Sequence, residues 1–366
     1  MDSQSNADWF SKPGDSVRVL MKRRGLTPAE VAGSLTDGLN TLRSILDGTC
    51  AIDEGIASAL ASKLGASKEF WLRRQANFDA ALDRAIEVVA RTECDEWLSL
   101  VPSPSGRNQQ RRMSDIQLRQ ELRNRLVFFN VPRMDAWERR YGNTIGATRF
   151  RSSQAFASKQ DATLLWLRRG EMEAELADTN KWNPEELRSC LDSIRKLTQV
   201  SHPRRFLPLL KSALAKAGVA LVVVKAPPGC RASGATRMVS ADKAMLLMSF
   251  RHRADDQFWF TLFHELGHLL LHQGGTFIDS EDLPGDEEIE RQANAFASSC
   301  IIPLPMSEQL EELSASKNAV VRFSVSLGIA PGLTVGQMQH RGVIGHHQLN
   351  YLKRHWAWEE IEPILV

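Results

Sequence analysis

One stretch constrains this chain more than any other. "FWFTLFHELGHLLLH" runs from Phe258 to His272 with no proline and no polar break long enough for a turn. On a helix, positions four apart share a face. His264 and His268 therefore stand one turn apart on one side, with Glu265 beside them, while Phe263, Leu266 and Leu270 fall on the other. The fold must bury the apolar side against a partner layer and give the histidines an environment that accepts them. Two imidazoles at this spacing can hold one Zn²⁺, and a glutamate next to them can take a proton from a metal-activated water.

Catalytic zinc usually takes three protein ligands. The helical run "EEIERQANAFASSCIIP" offers the third. Glu290 shares a stripe with Ala293, Asn294, Ala297 and Ile301, and a carboxylate among small apolar residues is costly without a partner. Glu287 and Glu288 fall on stripes that read as solvated. Glu290 is thus the expected third ligand, and Asn294, one turn on, is placed to hydrogen-bond a ligand from outside. His272 follows His268 by one turn and is open to three readings: ligand, helix-end cap or wall of the cleft. Mn²⁺ also suits a His₂Glu set, although availability and geometry favour zinc. The five cysteines are scattered with no CxxC pair, which argues against a cysteine zinc site and a disulfide framework.

These segments resemble the ImmA/IrrE family of zinc metallo-endopeptidases, which pairs HExxH with a glutamate in an E-x-x-A-N-x-F-A helix. Here that glutamate is Glu290, with Ala293, Asn294, Phe296 and Ala297 in place. The resemblance continues through "AGVALVVVKAP", "GATRMVSADKAMLLMSFRHRADDQFW" and "GIAPGLTVGQMQHRG", about half the chain. It implies cleavage of a partner repressor or antitoxin, with the substrate added as a strand on a sheet edge, for which "KAMLLMSF" is the candidate. It also implies that Glu265 hands a proton to the leaving amine. An oxyanion donor is then needed. His340, Tyr351, His346 and His347 are candidates, and His340 is favoured.

Near the N-terminus, "LTPAEVAGSLTDGLNTLRSILDG" has helix–turn–helix proportions. Thr27, Pro28 and Glu30 make a capping box, and Gly48 stops the second helix. That helix would present Asn40, Thr41, Arg43 and Ser44 to a major groove, with Lys22, Arg23 and Arg24 toward phosphates. The region through "ALASKLGASKEFWLRRQANFDAAL" resembles the Cro/C1-type domain of HigA-like antitoxins, whose "S-x-E-F-W-L-x-x-Q" ending appears as Ser67, Glu69, Phe70, Trp71, Leu72 and Gln75. Thr36 stands where that family has glycine, and Arg43 is the lone base on the second helix between Asp37 and Asp47. A helix–turn–helix retained for dimerisation or partner docking is the competing reading. The basic run from Arg107 to Arg125 is either a further phosphate contact or a solvated helix face.

The expected organisation is multidomain: an all-α helix–turn–helix domain over 1–85, a helical middle module over 86–184, and an α+β zincin-like peptidase domain with a small three-stranded sheet over 185–366. Within the last, the order is helix, three strands, helix, helix, with "TFIDSEDLPGD" as a loop and Asp255 or Asp256 as the cap of the HExxH helix. The net charge of +2 gives no global case for nucleic acid, so any such case is local. The start of the chain shows no basic stretch followed by an apolar run, and no window reaches the roughly 18 apolar residues of a membrane span. A cytoplasmic protein with no membrane partner is expected, and a homodimer is one expected assembly. The function expected is a DNA-binding regulatory zinc endopeptidase. The alternative is a non-proteolytic repressor or antitoxin whose peptidase fold senses a signal or holds a partner.

Overall fold

The computed structural model describes residues 10–105, 113–142, 154–272, 275–280 and 286–362. It divides into two compact units, Met1–Ala157 and Ser158–Val366. The basic run as far as Arg112, Gly274, and residues 281–285 of the expected loop lie outside the described residues. Among the described residues, no single helix is long and apolar enough to cross a membrane.

The first unit is helical: α1 (Pro13–Arg24), α2 (Pro28–Ala32), α3 (Gly38–Asp47), α4 (Glu54–Leu64), α5 (Lys68–Thr92), α6 (Cys94–Leu100), α7 (Asp115–Phe129) and α8 (Met134–Trp137). Local chemistry sets the starts. Thr27 accepts from the Glu30 amide, and Glu30 accepts from the Thr27 amide at 2.8 Å. Asp53 and Ser67 cap α4 and α5, their side chains accepting the amides of Ile56 and Phe70. Val17, Leu42, Leu60, Trp71 and Phe78 are buried together in this unit. The described arginines of the basic run are spent inside the unit. Arg119 donates to Glu87, and Arg125 is buried, bonding Glu121 and the carbonyls of Trp97 and Val101.

The second unit opens with α9 (Gln154–Leu176), α10 (Pro184–Leu197) and α11 (Pro203–Lys216). The strands β1 (Val219–Val223), β2 (Ala232–Ser240), β3 (Lys243–Met248) and β4 (Thr276–Ser280) form one mixed sheet in the order β1-β3-β2-β4. β1 runs parallel to β3, and β2 runs antiparallel to both β3 and β4. The sheet therefore has four strands, not three. "TFIDS" is a strand rather than a loop because its alternation satisfies both sheet faces. Nor is "KAMLLMSF" an edge: β3 is paired on both sides and apolar on both faces, as a central strand must be. The edges are β1 and β4.

α12 (Asp255–Leu271), α13 (Glu287–Ile301), α14 (Ser307–Glu311), α15 (Lys317–Leu327), α16 (Pro331–His340) and α17 (Trp358–Ile361) complete the unit. Strand alternation divides the core. Val219, Leu221, Val223, Leu246 and Met248 face α11 and α12, where Phe206, Phe258, Trp259, Leu262 and Leu266 are buried. Ala220, Val222, Met245 and Leu247 face the other way, against Trp166, Leu167 and Ala174 of α9. Each large side chain so buried contributes about 1.5–3 kcal/mol. The helix expected in a middle module is thus a layer of the sheet domain from Ser158 onward. At the turn into β1, Gly218 sits at φ +80°, and a Cβ there would come within 2.3 Å of the Trp182 backbone nitrogen. Gly218→Ala is expected to lose about 2–4 kcal/mol in denaturant unfolding; an unchanged midpoint would remove this contact from the account.

α12 is anchored at its start by a later segment. Ala254, not either aspartate, is its N-cap. Asp255 donates its amide to the Arg354 carbonyl and accepts the Arg354 amide on Oδ1 at 3.0 Å. Lys353 pairs with Asp256 at 2.7 Å. Burial raises the Asp255 carboxyl from 3.8 to about 6, aided by the Asp256 charge and opposed by the Arg354 amide. A carboxyl raised in the folded state binds a proton that the unfolded chain has lost. Stability therefore falls as pH rises from about 4 through about 6, and stays lower above. Relative to Asp255→Asn, the wild type should lose about 1–2 kcal/mol between pH 5 and 7.5. Parallel pH profiles in urea would contradict this.

Candidate metal centre

β2, β4, α12 and α13 converge on one cluster. His264 and His268 are buried on α12. Their Nε2 atoms lie 2.9 Å apart, and Glu290 on α13 brings Oε2 to 3.2 Å from His264 Nε2 and Oε1 to 3.6 Å from His268 Nε2. The donor atoms of the three residues all lie within 4.8 Å of one another. A tetrahedral ion with bonds of about 2.0–2.1 Å spaces its ligands by about 3.3–3.4 Å, within the observed spread. The donor set also suits zinc in kind: two imidazoles and one carboxylate, with no thiolate. Three donors leave a position open, whereas a structural site closes four.

The surroundings orient these donors. Asn294, one turn after Glu290, places Oδ1 3.0 Å from His264 Nδ1, where it accepts that nitrogen's proton and turns Nε2 toward the cluster. Phe277 of β4 stacks on the His268 ring, with centroids 4.4 Å apart and planes 7° from parallel. His272 lies at the helix end and meets His268 through Nδ1, 3.1 Å away, instead of joining the three donors.

Glu265 is fully buried. The Thr236 hydroxyl of β2 donates to its Oε2 at 3.0 Å, and its Oε1 has no hydrogen-bond partner among the described residues. Gly234 makes the room: a Cβ there would lie 2.8 Å from Oε1. Burial raises the Glu265 carboxyl to about 8, with the Asp279 and Glu290 charges adding and His264 and Thr236 opposing. On His264, burial disfavours the cation, but the Glu290 hydrogen bond and the Glu265 and Asp279 charges outweigh it, so its pKa rises. Glu290 is lowered: burial acts upward, and the two histidines more than offset it. A raised carboxyl beside clustered donors marks a candidate functional site.

Two cavities flank the cluster along α12. One of about 240 Å³ opens beside His268, walled by Trp182, Met238, Leu269 and Phe277. The other, about 180 Å³, lies toward the start of the helix against Gln257, Phe260, Ile301 and His340. His340 is thus a cavity residue, its ring 6.1 Å from that of Phe260, which in turn lies 6.4 Å from His264. Tyr351 is 69% exposed on a short turn. His346 offers its carbonyl to Gln339 and Asn350.

Thr236, Phe277 and Asp279 were not singled out from sequence. The register explains their arrival: Phe277 pairs with Thr236 and Asp279 with Gly234, so all face α12. Thr261 of α12 donates to Asp279 at 3.3 Å. The available signal was the alternation in "TFIDS", too short beside a polar segment to mark a strand.

In the other unit, Asn40 is exposed on α3, while Thr41, Arg43 and Ser44 are partly covered. The Thr41 hydroxyl donates to the Thr36 carbonyl, and Arg43 reaches Asn40 Oδ1 at 3.5 Å. Lys22 and Arg23 are exposed in the last turn of α1.

The model of one protein family, the IrrE N-terminal-like domain, matches residues 232–331. The match runs from the start of β2 to the start of α16 and contains every residue of the cluster. No curated protein matches the chain.

Proposed function

We propose that the second unit is a zinc-dependent endopeptidase with His264, His268 and Glu290 as ligands and Glu265 as the acid–base. The observation that carries this reading is the convergence of three donor atoms beside a buried carboxyl with one unpartnered oxygen. Zinc held there supplies Lewis acidity toward a peptide carbonyl. Asn294 orients His264. The Thr236 hydroxyl fixes Oε2 of Glu265, which leaves Oε1 to accept a proton and return it to the leaving nitrogen. The free edge of β4 and the two cavities suit an extended peptide with side chains on either side of the cluster.

The first unit, on this proposal, brings the enzyme to DNA near its substrate, a repressor or antitoxin. The exposed Asn40 and the basic end of α1 support a groove-and-phosphate footprint. The test is a survey of new protein N-termini in cells producing the wild type or Glu265→Gln. One or a few new termini in a transcription regulator, seen with the wild type alone, would support the endopeptidase. Identical termini in both, with operator binding intact, would favour the non-proteolytic regulator.

A further inference from the structure

The four-residue spacing of α12 continues past the second histidine to His272, which neither holds the cluster directly nor points away from it. We propose that His272 is a positioning residue: it receives the proton of His268 Nδ1 and so presets His268 to bind metal through Nε2. The inference rests on the metal-site reading above.

The direction of this relay can be worked out from the surface inward. Gln292 Nε2 lies 2.7 Å from Glu288 Oε1, and a carboxylate only accepts. The Gln292 amide must therefore turn its NH₂ toward Glu288 and its Oε1 toward His272. That oxygen stands 3.1 Å from His272 Nε2, so Nε2 carries the His272 proton. A neutral imidazole has one proton, which leaves Nδ1 of His272 bare. The 3.1 Å contact between His272 Nδ1 and His268 Nδ1 then holds one proton, and it belongs to His268. His268 is left with its lone pair on Nε2, the atom that faces His264 and Glu290. Flipping Gln292 would aim its oxygen at Glu288. With both Nε2 atoms bare, 2.9 Å apart beside the Glu290 carboxylate, three acceptors converge on one point, an arrangement that calls for a cation between them.

His264 reaches the same tautomer by a shorter route, through Asn294. The two ligands are thus preset through their Nδ1 atoms by residues outside the donor set. Ligating histidines usually donate to a carboxylate or carbonyl. Here an imidazole takes that place for His268, and Glu288 stands two links away. Both residues that fix the direction, Glu288 and Gln292, belong to α13, the helix that also carries Glu290 and Asn294. Docking α13 on α12 therefore completes the third ligand and both tautomers at once.

The test compares zinc affinity, by competition with a chelating dye, and the visible spectrum of the cobalt-substituted protein. His272→Ala should bind zinc roughly 10–100-fold more weakly and shift the cobalt bands. His272→Asn places an acceptor oxygen where Nδ1 was and should recover affinity to within about threefold of wild type. Wild-type affinity and spectrum in His272→Ala would overturn the relay while leaving the metal site standing. An asparagine variant as weak as alanine would overturn the acceptor role in favour of simple packing. A wild type that binds no zinc would instead remove the reading on which the relay depends. His272 is half-buried at a helix end, so its loss should leave the thermal unfolding of the metal-free protein nearly unchanged.

Discussion

Glu265→Gln is expected to lower hydrolysis of the natural substrate by about 10²–10⁴-fold while zinc content stays at the wild-type level. The glutamine has nearly the shape of the glutamate, so the space above Gly234 and the Thr236 hydrogen bond are kept. What is lost is a group that exchanges a proton on Oε1. A neutral amide puts no new charge into this buried position, so it should not unfold the site. Single-turnover cleavage and metal analysis on the same preparation separate the two effects. Cleavage at the wild-type rate would take Glu265 out of the chemistry. Loss of zinc together with activity would recast it as a support of the site.

Glu290→Ala should weaken zinc binding by on the order of 10³-fold or more. The change removes one of three ligands and the charge that balances the ion, and two histidines alone rarely hold zinc at a buried site. Glu290 is 29% exposed at its side chain and lies on the inner face of α13, so the metal-free variant should keep its fold to within about 1 kcal/mol. His264→Ala should lose zinc to a similar degree, but at a larger cost in packing, because His264 is buried. Retention of wild-type affinity by Glu290→Ala would mean that the third ligand lies elsewhere, with His272 and Asp279 next in line by proximity.

Much of the cluster could be read from the sequence because helices carry their own ruler. His264, Glu265 and His268 share a face at a spacing that needs no tertiary information. Glu290 could be found because a lone carboxylate among Ala293, Asn294 and Ala297 needs a partner. The sheet side of the site was harder. β4 is five residues long, and only pairing with β2 reveals Phe277 and Asp279 as inward residues. Thr236 sits in a strand whose alternation marks two faces without saying which one meets α12. The strand order was equally hidden. β3 follows β2 in the chain but lies between β1 and β2, so an apolar run that suggested an edge is the centre. The role of α9 was missed because an amphipathic helix does not announce what it covers. Trp166 donating to the Val224 carbonyl is a contact 58 residues apart in sequence.

The same limit bears on the N-terminal helices. Capping residues fixed where α2 begins, as Thr27 and Glu30 show. The face of α3 could be written down, yet two of its polar residues turn inward on the local backbone and side chains. Thr41 reaches Thr36, and Arg43 reaches Asn40. Short-range hydrogen bonds of this kind depend on rotamers that spacing does not encode.

The most direct test of the central claim is a crystal of the zinc-treated protein, with diffraction data collected on both sides of the zinc absorption edge. The expected result is one strong anomalous peak bounded by His264 Nε2, His268 Nε2 and the Glu290 carboxylate, about 2.0–2.2 Å from each. A map with no peak between those atoms, or with zinc seated only elsewhere on the chain, would contradict the account.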